Sequence, residues 1–136
     1  MEMKKIFKVG AVIVSGRKFM VVREKGVKGY IMPGGRPEKG ETKEDTLKRE
    51  LKEELNADVK SFSSIGTMEG PSLKKDTWVV QDVFLTEITG DIKPQSEIAD
   101  MAWVDSSDEK QNKNIMLSPF IRKVLIPKLL EMNLIE

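Results

Sequence analysis

The stretch from Pro33 to Asn56 constrains this chain more than any other, because two adjacent glycines, Gly34 and Gly35, lead into a segment with every local signal of a helix. Thr42 suits the N-cap position, Asp45 stands three residues on in the manner of a capping box, and Glu44 adds negative charge to the first turn. The signals predict a helix over 43–55. Leu47, Leu51 and Leu55 recur every four residues and form the stripe that packs on a core. At about 100° per residue, Glu54 lies roughly 60° from the centre of that stripe, Glu50 roughly 100°, and Arg49 and Glu53 roughly on the far side. Glu50 and Glu54 are then neighbours on a flank where the helix leaves the core.

Like charges four residues apart destabilise an isolated helix, and Glu53, three residues after Glu50, adds to the repulsion. Three carboxylates so placed invite a cation. A solvated face is the competing reading, since Arg49 can pair with Glu53. The Pro33-Gly34-Gly35 turn in front favours the cation, because glycines let backbone carbonyls and amides approach a ligand closely.

The residue types narrow the chemistry further. The chain has no histidine, so the usual neutral-pH base is missing, and no cysteine, so thiolate ligands and disulfides are excluded. Any hydrolysis must run on carboxylates. These are hard ligands suited to Mg²⁺, with Mn²⁺ as the alternative. A net charge of +1 without a long basic stretch argues against DNA or RNA as principal partner. The absence of cysteine suits a reducing compartment, and a cytoplasmic location is expected.

Along the chain, Ile6 to Val14 and Phe19 to Arg23 read as strands joined by a hairpin turn at Gly16. Lys8 interrupts the first apolar run, which is too short for a signal peptide; no stretch has the length to span a bilayer. Val59 to Met68, Trp78 to Ile88 and Met101 to Val104 are further strands, with turns at Glu69-Gly70-Pro71 and Thr89-Gly90-Asp91. Ser106 to Asn114 is polar and expected to be a surface loop. Ser118-Pro119 opens a C-terminal helix that Pro127 should kink or split. Strands interleaved with two helices predict a single α/β domain over residues 1–136, a mixed β-sheet in an α/β/α sandwich.

Gly35, Glu41 and the run Arg49-Glu50-Leu51-Lys52-Glu53-Glu54 have the spacing G-x5-E-x7-R-E-U-x-E-E, with U a bulky aliphatic residue. Residues 35–57 thereby resemble the Nudix box, whose pattern continues x-G-U. Asn56 replaces its glycine and Ala57 its larger aliphatic residue; asparagine is the next best residue for the left-handed position after a helix. Tyr30 to Gly35 resembles the family's lead-in to the box, and Glu97 to Trp103 its downstream segment, so nearly the whole chain is covered by the Nudix fold.

The resemblance implies that Glu50, Glu53, Glu54 and the carbonyl of Gly34 hold one or more metal ions, with Arg49 and Glu41 as a supporting pair. Glu53 or Glu97 would be the general base, a surface loop position being the competing reading for Glu97. Arg23, Arg36 and Lys28 are candidates for phosphate oxygens, although Lys28 also suits a solvated loop. Trp78 would stack a base or, beside Val80 and Phe84, pack in the core, which its strand position favours.

The implied reaction is hydrolysis of a pyrophosphate bond in a nucleoside diphosphate linked to another moiety. The compact length favours a nucleoside triphosphate, giving the monophosphate and pyrophosphate, over ADP-ribose or a nucleotide sugar. Pro71 stands about where the ADP-ribose group has a proline, but a turn from Glu69 to Ser72 accounts for it. A non-catalytic nucleotide-sensing module is the reading of another class; it would be expected to lack the carboxylates present here. The sequence does not fix the oligomeric state and allows a homodimer.

Overall fold

The computed structural model describes residues 2–108 and 115–136. In chain order it has strands β1 (Lys4–Val12), β2 (Val14–Ser15), β3 (Lys18–Glu24), β4 (Gly29–Ile31) and β5 (Gly34–Gly35), helix α1 (Lys43–Leu55), strands β6 (Asp58–Pro71), β7 (Thr77–Thr89), β8 (Ile98–Val104) and β9 (Met116–Leu117). A π-helical turn, Ile121–Leu125, then runs into α2 (Ile126–Glu131).

These strands form two mixed sheets. One has the order β5-β1-β7-β6, with β1 parallel to β7; the other has the order β2-β3-β4-β9, with β8 also paired to β3. Alternation along the strands divides the core in two. Val9, Ala11 and Ile13 join Met20, Val22 and Phe84 beneath Leu47, Leu51 and Leu55 of α1. Val12, Phe19, Val21, Val79 and Val83 pack instead against Phe120, Ile121, Leu125 and Leu129 of the C-terminal segment. Helical segments thus cover both faces, giving the predicted α/β sandwich. Among the described residues no helix is long and apolar enough to cross a membrane.

Helix α1 has the bounds its local signals predict. Thr42 Oγ1 accepts from the Asp45 amide at 3.0 Å and Asp45 Oδ2 from the Thr42 amide at 3.1 Å, which completes the capping box. Asn56 closes the helix in the left-handed conformation, with φ 56°. The loop after β7 then covers the last turn: the Lys93 amide bonds the Leu55 carbonyl, and the Gln95 amide the Glu54 carbonyl, both at 3.0 Å. Carbonyls that a helix end leaves unpaired are satisfied in this way.

Non-local pairing departs from the expected strands in three places. The predicted first strand is broken, because Ile6 belongs to β1 in one sheet whereas Val14 pairs with Phe19 in the other, across the turn Gly16-Arg17. Glu69, Gly70 and Pro71 are not a turn: β6 continues through them, and Pro71 is in register with Trp78. Trp78 is only half-buried and lies outside both core clusters, with its indole N–H bonded to Glu69 Oε1 at 2.8 Å. On its face of β7 the core beneath α1 is reached first at Phe84, six positions further along, so the core-packing expectation fails. The Ser118 hydroxyl accepts from the Ile121 amide at 3.3 Å, and π geometry gives way to α geometry between Leu125 and Ile126, so that Pro127 stands in the first turn of α2. The expected polar surface loop, Ser106 to Asn114, lies outside the described residues from 109 onwards.

Candidate active site

The two-residue strand β5 pairs with β1, Gly34 opposite Gly10 and Gly35 opposite Val9, and lies against the C-terminal half of α1, at Glu50 and Glu54. Gly34 has φ 133°, a conformation that side chains rarely adopt, and a Cβ there would strike the Val9 carbonyl. Its amide donates to Glu54 Oε1 at 2.9 Å. At Gly35 a Cβ would stand 2.6 and 2.7 Å from the two carboxylate oxygens of Glu50. The glycine pair therefore leaves room for both carboxylates against the backbone.

Arg49 organises the other side of the site. Its Nε and Nη2 bind the Oε2 and Oε1 of Glu41 at 2.7 and 2.9 Å, a bidentate pair. Nη1 donates to Glu50 Oε1 at 2.7 Å and lies 3.4 Å from Glu53 Oε2, and Nη2 also reaches the Arg36 carbonyl at 3.1 Å. Buried Thr46 places its hydroxyl 3.0 Å from Glu41 Oε1, and the Glu38 amide donates to the same oxygen at 2.8 Å. This network clips the loop before α1 onto the helix. Thr46 and Glu38 have no expected role in the sequence reading, although Thr46 is visible as a polar residue beside the leucine stripe.

Environment separates the carboxylates by charge state. The Arg49 guanidinium beside Glu41 holds that carboxyl down at about 2. Burial pushes Glu54 up to about 8, against the pull of the Gly34 amide, and burial also raises Glu50, against Arg49. Lys8 is lowered by burial, opposed by Glu54, Glu24 and Glu50. Glu53 has a side chain about half exposed, at 52%. The flank geometry is as expected: Glu50 and Glu54 face inward and Glu53 lies farther round.

Glu50, Glu54, Gly34, Gly35 and Arg36 line one cleft of about 440 Å³ together with Lys4, Lys8, Glu24 and Lys74. The phosphate-binding candidates divide here. Arg36 lines the cleft, but Arg23 and Lys28 do not. Arg23 donates to the Val27 carbonyl at 3.1 Å and lies 6.0 Å over the Tyr30 ring, which turns it onto its own loop, and Lys28 is solvent-exposed. Lys4, Lys8 and Lys74 are the cations the sequence reading missed. Lys8 gave a signal, as a charge set within an apolar strand. Glu97 is exposed and outside the cleft lining; its carbonyl accepts from the Lys25 amide at 2.8 Å, two residues beyond the Gln95 contact with α1.

The donor set fits a hard divalent cation. Among the described residues no three acidic side chains form a ready-made cage. Mg²⁺ does not need one, since it binds through one or two carboxylates and keeps waters or substrate phosphate oxygens in its other positions. Glu50 and Glu54, half-buried and each resisting ionisation, are two such carboxylates, and a cation would offset what burial costs them.

A family model described as the NUDIX domain matches residues 4–125. No curated protein gives a significant sequence match. Among solved structures, the chain is similar to the MutT protein from Methanosarcina mazei Go1, with 18% identity, 98% of each chain covered and a TM-score of 0.76. It is also similar to the E. coli ORF135 protein, at 19% identity, 96% of this chain and 94% of that one, TM-score 0.70. A NUDIX hydrolase from Nitrosomonas europaea matches at 22% identity over 94% of this chain and 87% of that one, TM-score 0.69. Likeness at such identities concerns the fold.

Proposed function

Given that the chain belongs to the NUDIX domain family, hydrolases that act on pyrophosphate bonds, we propose that it converts a nucleoside triphosphate to the monophosphate and pyrophosphate, with Mg²⁺ or Mn²⁺ as cofactor. One observation carries the proposal: Glu54, seated on the Gly34 amide, and Glu50 beside it line a cleft that also holds Arg36 and three lysines. Carboxylates for a cation and cations for phosphates stand on one wall system.

In this reading Glu50, Glu53, Glu54 and the Gly34 carbonyl hold the metal, which neutralises phosphate charge and acidifies water when bound. Water attacks phosphorus, the bond to the departing phosphate oxygen breaks, and Glu53 or Glu97 takes the water's proton. Glu53 is supported by its half-exposed carboxylate 3.4 Å from Arg49, which also holds Glu50, and Glu97 by the backbone contacts that tie its loop to α1. Arg49 and Glu41 position Glu50 and the loop, and Arg36 meets phosphate oxygens. The absence of cysteine suits a reducing compartment, and we place the reaction in the cytoplasm.

Phosphate release from a panel of nucleoside triphosphates, ADP-ribose and nucleotide sugars, measured with Mg²⁺ on wild type and Glu54→Gln, tests the proposal. Turnover of triphosphates by wild type and its loss in Glu54→Gln are expected. Equal release by both proteins would refute the metal site. Nucleotide binding without turnover would replace the enzyme with a sensing module.

A further inference from the structure

Lys8 stands in β1, in register with Gln81, directly before a run of buried residues that begins at Val9. An ammonium leaves water at a cost unless a partner compensates. Among the described residues no hydrogen bond or ion pair reaches this side chain. Its charged neighbours are Glu24, Glu50, Glu54 and Lys74, all on the wall of the cleft.

Two more lysines line the same cleft, in addition to Arg36. Lys4 lies four residues earlier in β1, on the same face of the strand. Lys74 sits in the loop between β6 and β7, whose shape is set by its own bonds: the Ser72 amide to the Thr77 carbonyl at 2.8 Å and the Lys74 amide to Ser72 Oγ at 3.2 Å. Leu73 anchors that loop in space left by Gly29, where a Cβ would be 3.1 Å from its Cγ. Among the described residues, none that lines the cleft is aromatic. The wall is therefore rich in positive charge and lacks the ring surface on which a base stacks.

We infer that Lys8, with Lys4 and Lys74, selects the substrate by the negative charge of the group beyond the scissile bond, so that the enzyme responds to phosphate number and not to the identity of the base. The inference rests on the hydrolase reading above. A triphosphate presents further phosphate oxygens to the lysines, whereas ADP-ribose presents a neutral sugar there. Lys8 is a specificity residue in this scheme and takes no part in bond cleavage.

Steady-state kcat and KM for four nucleoside triphosphates and ADP-ribose, on wild type, Lys8→Met, Lys8→Arg and Lys74→Ala, test the inference, together with binding of inorganic tripolyphosphate to the metal-free proteins. Wild type should treat the four bases within about fivefold of one another and prefer triphosphates over ADP-ribose by about tenfold or more. Lys8→Met should lower that preference by about tenfold, through KM for triphosphates, and Lys8→Arg should restore most of it. Tripolyphosphate should bind more weakly to Lys8→Met and to Lys74→Ala, the latter on an exposed loop where the fold is not at risk. An equal loss on both substrate types would mean that Lys8 only balances Glu50 and Glu54, and would overturn the inference. Strong preference for one base would overturn it too. If wild type turns over nothing in the panel, the hydrolase reading fails, and tripolyphosphate binding still decides whether the lysines take phosphate.

Discussion

Gly34 and Glu54 are joined by a 2.9 Å hydrogen bond from a backbone amide to a carboxylate, across twenty residues of sequence. The bond depends on a φ of 133° at Gly34, and the Val9 carbonyl occupies the place a Cβ would take. Gly34→Ala should therefore destabilise the fold by about 1–3 kcal/mol and displace Glu54. Gly35→Ala should push Glu50 aside and weaken Mg²⁺ binding with less loss of stability. Thermal melts and metal titration of the two variants separate these outcomes; unchanged metal binding in Gly35→Ala would remove Glu50 from the ligand set.

Arg49 forms a fork onto Glu41 while also holding Glu50. A lysine keeps the charge but cannot make the bidentate contact. Arg49→Lys should lower kcat by about 10- to 100-fold with a small change in melting temperature. Retention of full activity would show that the pair does not position Glu50.

Proton linkage at Glu54 gives a pH signature. Its carboxyl is at about 8 in the folded protein, above the ordinary 4.5, so the folded state holds the proton more tightly and stability falls as pH rises from 4.5 to about 8. Melting temperatures of metal-free protein should decline over that window, and added Mg²⁺ should recover part of the loss at the upper end. The decline should be much smaller in Glu54→Gln; an identical slope in both proteins would assign it elsewhere.

Glu41 has the opposite sign. Held at about 2 by Arg49, it stabilises the fold above 4.5 and loses that contribution as pH falls towards 2. Acid titration followed by circular dichroism should show a shallower loss of structure over this window in Glu41→Gln than in wild type. That variant should also be less stable at neutral pH.

The cap of α1 offers a control remote from the chemistry. Thr42→Ala removes the hydroxyl that accepts from the Asp45 amide and should cost about 1 kcal/mol, read as a lower denaturant midpoint with an unchanged slope.

What the sequence determined by itself is the local part of this molecule. Helix α1 has its predicted bounds because caps, the leucine stripe and the left-handed Asn56 act within a few residues of one another. The spacing from Gly35 to Glu54 pointed to the family for the same reason, since Glu50, Glu53 and Glu54 share one helix and Glu41 directly precedes its cap. Tertiary structure decided the rest of the cleft. β1 enters the sheet by pairing in parallel with β7, some seventy residues away, and that pairing brings Lys4 and Lys8 to the cleft. β6 runs through Pro71 because Trp78 lies in register beside it, and Arg23 turns to the Val27 carbonyl and Tyr30. Strand pairing is non-local, and with a side-chain period of two the partner strand and its register decide which residues meet the substrate.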